Sequence, residues 1–419
     1  MQKLGGAVIH MQQNLINAEQ EKTLQKVDFL VGSMEQLIAL CHPKALQPFS
    51  PDVLDFLERL SKELMTNPKA KEYPDIITLG FWIRKASLEK LKKRFLKEDE
   101  DIYYGRGIVF HIAPSNVPVN YAYSLITGLL TGNINIVRIP SKDFPQVGII
   151  NQIINNNLEK YTELKKYIYL VRYERNQQIN DIFSTIADVR VVWGGDNTIA
   201  ELRKSPLGPR AREITFADRY SLAVINSDYY CKIENKNRFA EEFYNDTYLT
   251  DQNACTSPRI VVWTGSSIEK AKMIFWDELH KLVKSKYSFQ AIMGVNKLTS
   301  AYLTAATHRG TKIEPHEDNL LIRVKIKCPD DDIMDLKDNS GYFFEFDCKE
   351  ITEIKNLCDN THCQTIAYLG DRKEIETLLM LGPTGIDRVV PIGKTMDFDL
   401  IWDGYNLYES LTRTIKMNL

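Results

Sequence analysis

The 419-residue chain predicts an α/β protein of two domains, the first built on a parallel sheet. Three observations carry that expectation. Apolar β-type runs alternate with helical periodicity between residues 107 and 225, the alternation resumes from about 226 to 385, and the chain exceeds what one ordinary hydrophobic core organises. Residues 1 to about 100 read as mostly helical, and KASLEKLKKRFLKEDED (85–101) reads as a solvated helix face. The first strand is GIVFHI. VNYAYSLITGLL follows with apolar positions 122, 125, 126, 129 and 130 at helical spacing, and then the strand INIVRI. VRVVW (189–193) leads through Gly194 and Gly195 into the helical NTIAELRK. Strands alternating with helices in this way predict a parallel sheet with ligands at the carboxyl ends of its strands. The second section holds the strand IVVW, the helix SIEKAKMIFWDELHKLVKSK and the strand TIAYLG; the turn-rich tail from 386 reads as an ordered closing segment.

Composition narrows the function. The chain is 44% hydrophobic and 26% charged with a formal charge of −2, and it has no long basic run, which argues against a nucleic-acid partner. No apolar run is long enough to cross a bilayer and no charged-then-apolar leader opens the sequence, so the expectation is a cytoplasmic protein. Seven cysteines at 41, 231, 255, 328, 348, 358 and 363 form no CxxC pair and are expected to be reduced. Cys358, His362 and Cys363 are too sparse a set for zinc, and no metal is expected.

Two segments carry chemistry. DQNACTSPRIVVW (251–263) sets Cys255 in a collar of Gln252, Asn253, Thr256 and Ser257 just ahead of a strand. A nucleophilic thiol needs a reachable sulphur and donors that favour its charge. The segment alone equally admits a small buried hydrophobe at the strand mouth. In GIVFHIAPSNVPVNYAYSL, Asn116 lies between Pro114 and Pro118 in a stiffened strand-to-helix turn. A fixed amide there suits an oxyanion; the commoner use of such an Asn is to cap the helix or turn. No GxGxxG follows any strand, and WGGDN reads either as a tight turn or as an approach for a pyrophosphate. His111 and His362 are candidate bases for the thiol, and neither is assigned.

The order APSNVP, GN followed by a strand and RIPSK, WGGDN after a strand, then DQNAC resembles the aldehyde dehydrogenase superfamily, whose members carry PWNFP, GN with KPSE, FTGS and GQxC. Within it the chain is similar to the acyl-CoA reductase branch, the LuxC family, through IAPSNVPVNYAYSL, DQNACTSPR, GIDRVVPIGKTMDF and the later WDG and LTR. The resemblance spans roughly residues 100 to 415. It implies an aldehyde dehydrogenase-like fold, with a Rossmann-type nucleotide-binding domain over 1–225, a catalytic α/β domain over 226–385 and a tail, 386–419, returning across the interface.

The resemblance also implies the site. Cys255 is the nucleophile, and Asn116 with the Cys255 backbone N–H holds the oxyanion. Arg138, Ser141 and Lys142 fall on or beside the segment that meets the adenosine ribose; Gly195 and Asp196 fall on the turn beside the pyrophosphate. The oxidising members use a glutamate to activate water, and ITFADRYS offers Thr215 and Phe216 there instead. Lys142 stands where NAD-preferring members place a carboxylate, which favours NADPH. The expected activity is reduction of an acyl thioester such as acyl-CoA to an aldehyde. The alternatives are an acid-forming aldehyde dehydrogenase, which the missing glutamate opposes, and a non-redox acyl-transfer subunit. An acyl-protein ligase partner and a homo-oligomer are implied by resemblance.

Overall fold

Alternation of strand and helix resolves into two sheets, each inside its own unit. A computed structural model describes residues 15–40, 44–96, 100–315, 318–328 and 331–418; Cys41 lies outside them. One unit comprises residues 1–216 and 407–419, the other residues 217–406.

The first unit's strands are β1 (Asp28–Val31), β2 (Ile102–Gly105), β3 (Ile108–Ile112), β4 (Ile134–Arg138), β5 (Ile168–Arg172), β6 (Val189–Trp193) and β7 (Arg212–Phe216). The main sheet runs β1-β5-β4-β3-β6-β7, parallel except for the antiparallel edge strand β1. Every residue of β3 and β6 is buried, as strands covered on both faces require. From β3 the chain builds outward to β4 and β5, then returns to the other side of β3 for β6 and β7. That reversal falls between β3 and β6, and the carboxyl ends of strands at such a reversal are the position where such sheets receive ligands. Register aligns the ends: Ile112 pairs with both Arg138 and Val192.

The early chain is helical at Pro51–Thr66, Pro74–Trp82 and Lys85–Phe95, as its periodicity predicts. The last of these buries Leu88, Leu91 and Phe95 and leaves most of its lysines in water. β1 is the exception, a short strand that the surrounding helical pattern hid and that forms by completing the edge of β5.

Beneath β3 a polar chain threads the core. Trp193 Nε1 donates to Ser124 Oγ at 3.1 Å, Ser124 Oγ lies 2.7 Å from His111 Nδ1, and His111 Nε2 lies 3.1 Å from Asn135 Oδ1. Asn135 Nδ2 donates to the Asn133 carbonyl at 2.8 Å. Burial lowers the His111 pKa to about 4, so the ring is neutral at neutral pH and acts as a structural link. Asn133 takes the Arg106 N–H at 2.7 Å and donates to the Leu411 carbonyl at 3.0 Å. Leu411 ends a short helix, Leu407–Leu411, that leads into β17 (Thr412–Ile415), the antiparallel partner of β2.

The second unit's strands are β8 (Tyr220–Asn226), β9 (Pro258–Thr264), β10 (Lys312–Pro315), β11 (Ile322–Lys325), β12 (Tyr342–Asp347), β13 (Cys363–Leu369) and β14 (Arg388–Pro391), with the two-stranded hairpin β15 (Ile401–Trp402) and β16 (Tyr405–Asn406). Its sheet runs β10-β11-β12-β9-β8-β13-β14, with only β10 antiparallel. Alternate residues feed two cores, Leu222, Val224, Ile260 and Val262 on one face and Ala223, Ile225, Val261 and Trp263 on the other. The chain therefore divides after Phe216 rather than at 225. β8 pairs with β9 and β13, which ties residues 220–226 to the second sheet. The tail is likewise split, residues 386–406 staying with the second unit and 407–419 joining the first.

Gly128 tests the polar chain. A Cβ there would sit 1.7 Å from Asn135 Oδ1 and 3.2 Å from His111 Nε2, so Gly128→Ala must expel the Asn135 amide and break its bonds. Chemical denaturation is expected to show a loss of about 3 kcal/mol or more. Gly148→Ala, at an exposed helical position where a Cβ meets nothing within 4 Å, should instead gain about 0.5–1 kcal/mol. Equal stabilities for the two variants would contradict this packing.

Candidate active site

Cys255 precedes β9 in a loop whose backbone is unusual at two consecutive residues, Asp251 (φ 50°) and Gln252 (φ 57°), both left-handed without being glycine. Such strain persists only where surroundings over-determine it. Here the buried Gln252 side chain does so. Its Nε2 donates to the Pro258 and Tyr342 carbonyls at 3.0 and 3.1 Å, and its Oε1 accepts from the Gly341 and Tyr342 N–H groups at 2.8 and 3.2 Å. Arg259 donates to the Gln252 carbonyl, and Tyr287 Oη donates to Asp251 Oδ1 at 2.6 Å.

The polar collar therefore turns away from the thiol. Asn253 Oδ1 accepts from Asn339 at 2.8 Å, Thr256 Oγ1 donates to Met396 Sδ at 3.1 Å, and Ser257 Oγ lies 3.5 Å from Thr250 Oγ1. These residues lock the loop instead of solvating a thiolate.

What meets the sulphur comes from elsewhere in the second unit. Gln364 Nε2, at the start of β13, donates to Cys255 Sγ at 3.7 Å and to Asp403 Oδ1. Ser221 Oγ, at the start of β8, donates to the Cys255 carbonyl at 2.8 Å. The group thus gathers at the amino ends of β8, β9 and β13. Asp403 and Gly404 form the two-residue turn of the β15–β16 hairpin, with φ 48° and 74°, the signature of a type I′ turn. Arg219 pairs with Asp387, whose N–H donates to the Gln364 carbonyl at 2.9 Å, and also donates to the Cys363 carbonyl.

Cys255 keeps partial exposure, yet burial pushes its thiol up to about 12, and the Asp403 carboxylate adds to the rise; Gln364, a backbone N–H and Arg219 act the other way. Cys348 is pushed equally high by burial. A depressed pKa is therefore not what marks Cys255. Its mark is exposure combined with this polar cluster. Asp403 is raised to about 6 by burial, with Asp387 adding and Arg219, Gln364 and Arg388 opposing. Sequence reasoning missed Gln364 and Asp403 as site residues. The Asp-Gly pair after a β-type Ile-Trp was the available signal, since that dipeptide marks a hairpin turn.

The other expected residues lie in the first unit. Asn116 is exposed in the turn after β3; the helix Asn120–Leu130 has Val119 as its N-cap and no side-chain cap bond, so Asn116 is not its cap. Arg138, at the end of β4, lies over the Tyr173 ring at 4.5 Å and donates to its carbonyl at 3.3 Å. Ser141 and Lys142 are exposed, with Lys142 Nζ 4.9 Å from the Phe144 ring centre. Gly195 caps the short helix Asp196–Leu202 just after β6, and both Gly195 and Asp196 are exposed. Phe216 stacks on Trp193 with ring centres 3.7 Å apart, and neither Thr215 nor Phe216 carries a carboxylate.

His362 is exposed and bound through Nδ1 to the Asp218 carbonyl at 2.7 Å. Cys358 and Cys363 are buried and their thiols interact. Among the described residues no group of three or more His, Cys, Asp or Glu is placed to hold a metal ion, and no helix is long and apolar enough to cross a membrane.

Comparison with known proteins fits this arrangement. The long-chain acyl-protein thioester reductase of Aliivibrio fischeri is 24% identical over 178 residues, 42% of this chain and 35% of that protein. The long-chain acyl-protein thioester reductase 2 of Photobacterium leiognathi is 25% identical over 175 residues, 42% of this chain and 34% of its own. The match spans about a third of those relatives' length. Among solved structures, a NAD-dependent benzaldehyde dehydrogenase from Corynebacterium glutamicum superposes with a TM-score of 0.59 at 14% identity, covering 88% of this chain and 85% of that one. The fold is thus the aldehyde dehydrogenase type, a Rossmann-like sheet and a second α/β unit. The family model for acyl-CoA reductase (LuxC) matches residues 36–292, more than half of the chain and inclusive of Asn116 and Cys255. On that match the chain belongs to the acyl-CoA reductase (LuxC) family.

Proposed function

We propose that this protein reduces an acyl thioester, acyl-CoA or a related carrier, to the aldehyde through a covalent acyl group on Cys255, with NADPH as reductant. The observation that carries the reading is Cys255 itself, a partly exposed residue inside the family match and set in a polar cluster on a locked loop. The sulphur attacks the thioester carbonyl, Asn116 and the Cys255 N–H hold the developing oxyanion, and the carrier thiol departs. Thr215 and Phe216 in place of a water-activating carboxylate leave the acyl-enzyme long-lived, which favours reduction over acid formation.

The residues present fit a dinucleotide. The turn at Gly195 follows a strand at the sheet's reversal, a Cβ on Gly195 would meet nothing within 4 Å, and exposed Lys142 and half-buried Arg138 supply cations beyond β4. Gly195 and the Asp196 backbone would hold the pyrophosphate; Arg138, Ser141 and Lys142 would hold the adenosine ribose and its 2′-phosphate. NADPH, when bound, supplies the hydride that takes the acyl carbon to the aldehyde level.

Six free cysteines among the described residues support a reducing, cytoplasmic setting. Ile292, Val295, Tyr302 and Leu303, exposed on one face of the helix Ala291–Thr307, support a homo-oligomer. An acyl-protein ligase is the proposed protein partner, because the relatives' names specify an acyl-protein thioester.

Incubation with acyl-CoAs of increasing length and NADPH should yield aldehyde, and Cys255→Ala should yield none while binding NADPH as before. Acid as the product, or acyl transfer without nucleotide consumption, would sink the reductase reading.

Asn116→Ala is expected to slow acylation about a hundredfold. Because Asn116 does not cap the helix, its stability should change by less than about 1 kcal/mol. A large stability loss at an unchanged rate would assign Asn116 to the fold alone.

Lys142→Glu should weaken NADPH about tenfold more than NADH, since only the former carries the 2′-phosphate. Titration of both nucleotides decides this, and equal losses would remove Lys142 from the ribose site.

A further inference from the structure

The thiol attack described above needs a destination for the Cys255 proton, and the second unit offers one carboxylate beside the sulphur. Gln364 Nε2 carries two hydrogens and donates to both Cys255 Sγ, at 3.7 Å, and Asp403 Oδ1, so sulphur and carboxylate flank a single nitrogen. Gln364 is fully buried, its backbone carbonyl accepts from the Asp387 N–H at 2.9 Å, and its side-chain Oε1 accepts from Ser221 Oγ at 3.5 Å. Asp403 is fixed by the type I′ turn. The next residue must be glycine, because a Cβ on Gly404 would meet Asp387 Oδ1 at 2.7 Å.

We propose that Asp403 is the proton acceptor for Cys255, with Gln364 as the positioning residue that holds the two together. The inference rests on the reading of Cys255 as the nucleophile toward an acyl thioester. In acylation the Cys255 S–H bond breaks and its proton passes through one bridging water to an Asp403 oxygen, because sulphur and carboxylate each accept from Gln364 and share no direct hydrogen bond. The sulphur electron pair forms the S–C bond and the carbonyl pair moves onto oxygen. When the adduct collapses, the C–S bond to the carrier breaks, and the departing thiolate takes the proton from Asp403, which returns to carboxylate. Nothing is oxidised or reduced in this half-reaction.

The electrostatics support the geometry. Asp403, raised to about 6, is ionised at neutral pH and close to the ideal for a base working there. The thiol, pushed to about 12 in part by Asp403 itself, keeps its proton until attack begins. Facing Asp403 are Arg219 ahead of β8, Asp387 and Arg388 at β14, and Cys255 ahead of β9; Arg388 also lies over the Trp402 ring at 4.4 Å. The histidine nearest the strand ends, His362, is bound to the Asp218 carbonyl.

The test is the rate of Cys255 acylation by acyl-CoA against pH, without nucleotide, beside its alkylation by iodoacetamide. Wild-type acylation should fall tenfold per pH unit below about 6 and stay flat above it, because the acceptor is competent only when ionised. Asp403→Asn should acylate about a hundredfold more slowly at neutral pH, without that inflection. Its alkylation at pH 8 should rise about tenfold, since a charge opposing the thiolate is gone. Asp403→Glu should restore the inflection and part of the rate. Gln364→Ala should move the inflection upward, because the amide bond holds the Asp403 pKa down.

Asp403→Asn that acylates within threefold of wild type with the inflection intact would overturn the proposal. If Asp403→Asn does not fold, the wild-type profile decides alone: a rate climbing tenfold per unit from below pH 6 to pH 9 would mean attack by a pre-formed thiolate and would equally overturn it. A wild type that takes no acyl group from any thioester would defeat the proposed function instead. The alkylation arm would still read the coupling, and an unchanged alkylation profile in Asp403→Asn would refute it.

Discussion

Parallel pairing of β8 with both β9 and β13 is the constraint on which the candidate site depends. Ser221 stands second in β8, the Cys255 loop feeds β9 and Gln364 stands second in β13, so the ladder register alone brings positions 221, 255 and 364 to one edge. A one-residue slip of β13 would send the Gln364 side chain to the opposite face, because strand side chains alternate. The cores on both faces of this sheet resist such a slip, since Ile366 and Ala367 are buried on opposite sides. The same packing that stabilises the unit therefore positions the amide beside the thiol.

Local backbone strain is the second element. Two adjacent left-handed residues at 251 and 252 cost free energy of order 1–3 kcal/mol each, and the four hydrogen bonds of the buried Gln252 amide offset it. The result is a stiff approach to Cys255, where a flexible loop would let the sulphur wander from the acyl carbon. The hairpin turn at Asp403–Gly404 is stiff for a different reason, its geometry fixed by turn type. The sulphur and the carboxylate are thus both delivered by backbone conformations with little freedom.

Much of this was legible in the sequence, and the failures have physical causes. Helical and β periodicity exposed the two sheets because their strands are continuous apolar runs, as in VRVVW and PRIVVWT. The short strand β1 was hidden, since four residues between helices carry no period of their own. The division at 225 overshot because β8 is as apolar as the first sheet's strands, and only its partners reveal its allegiance. Cys255 stood out through its polar neighbours, although those neighbours fasten the loop and leave the thiol to others. Gln364 and Asp403 lie 109 and 148 residues beyond Cys255, and contacts at that separation leave no trace in local pattern. They also fall outside the stretch, 36–292, in which the family match is detectable.

The electrostatic picture separates this cysteine from thiols activated by a low pKa. Its environment favours the protonated form, with a buried carboxylate close by, so under the proposed function its reactivity depends on proton transfer during attack and on an acyl donor seated at the sulphur. The central claim is that the acyl group rests on Cys255. Intact-mass analysis of the wild-type protein after brief exposure to acyl-CoA without nucleotide, followed by peptide mapping, tests it directly. The account predicts a single acyl adduct on the peptide containing Cys255 that disappears as aldehyde forms when NADPH is added. An adduct on another cysteine, or none at Cys255 while aldehyde is still produced, would contradict it.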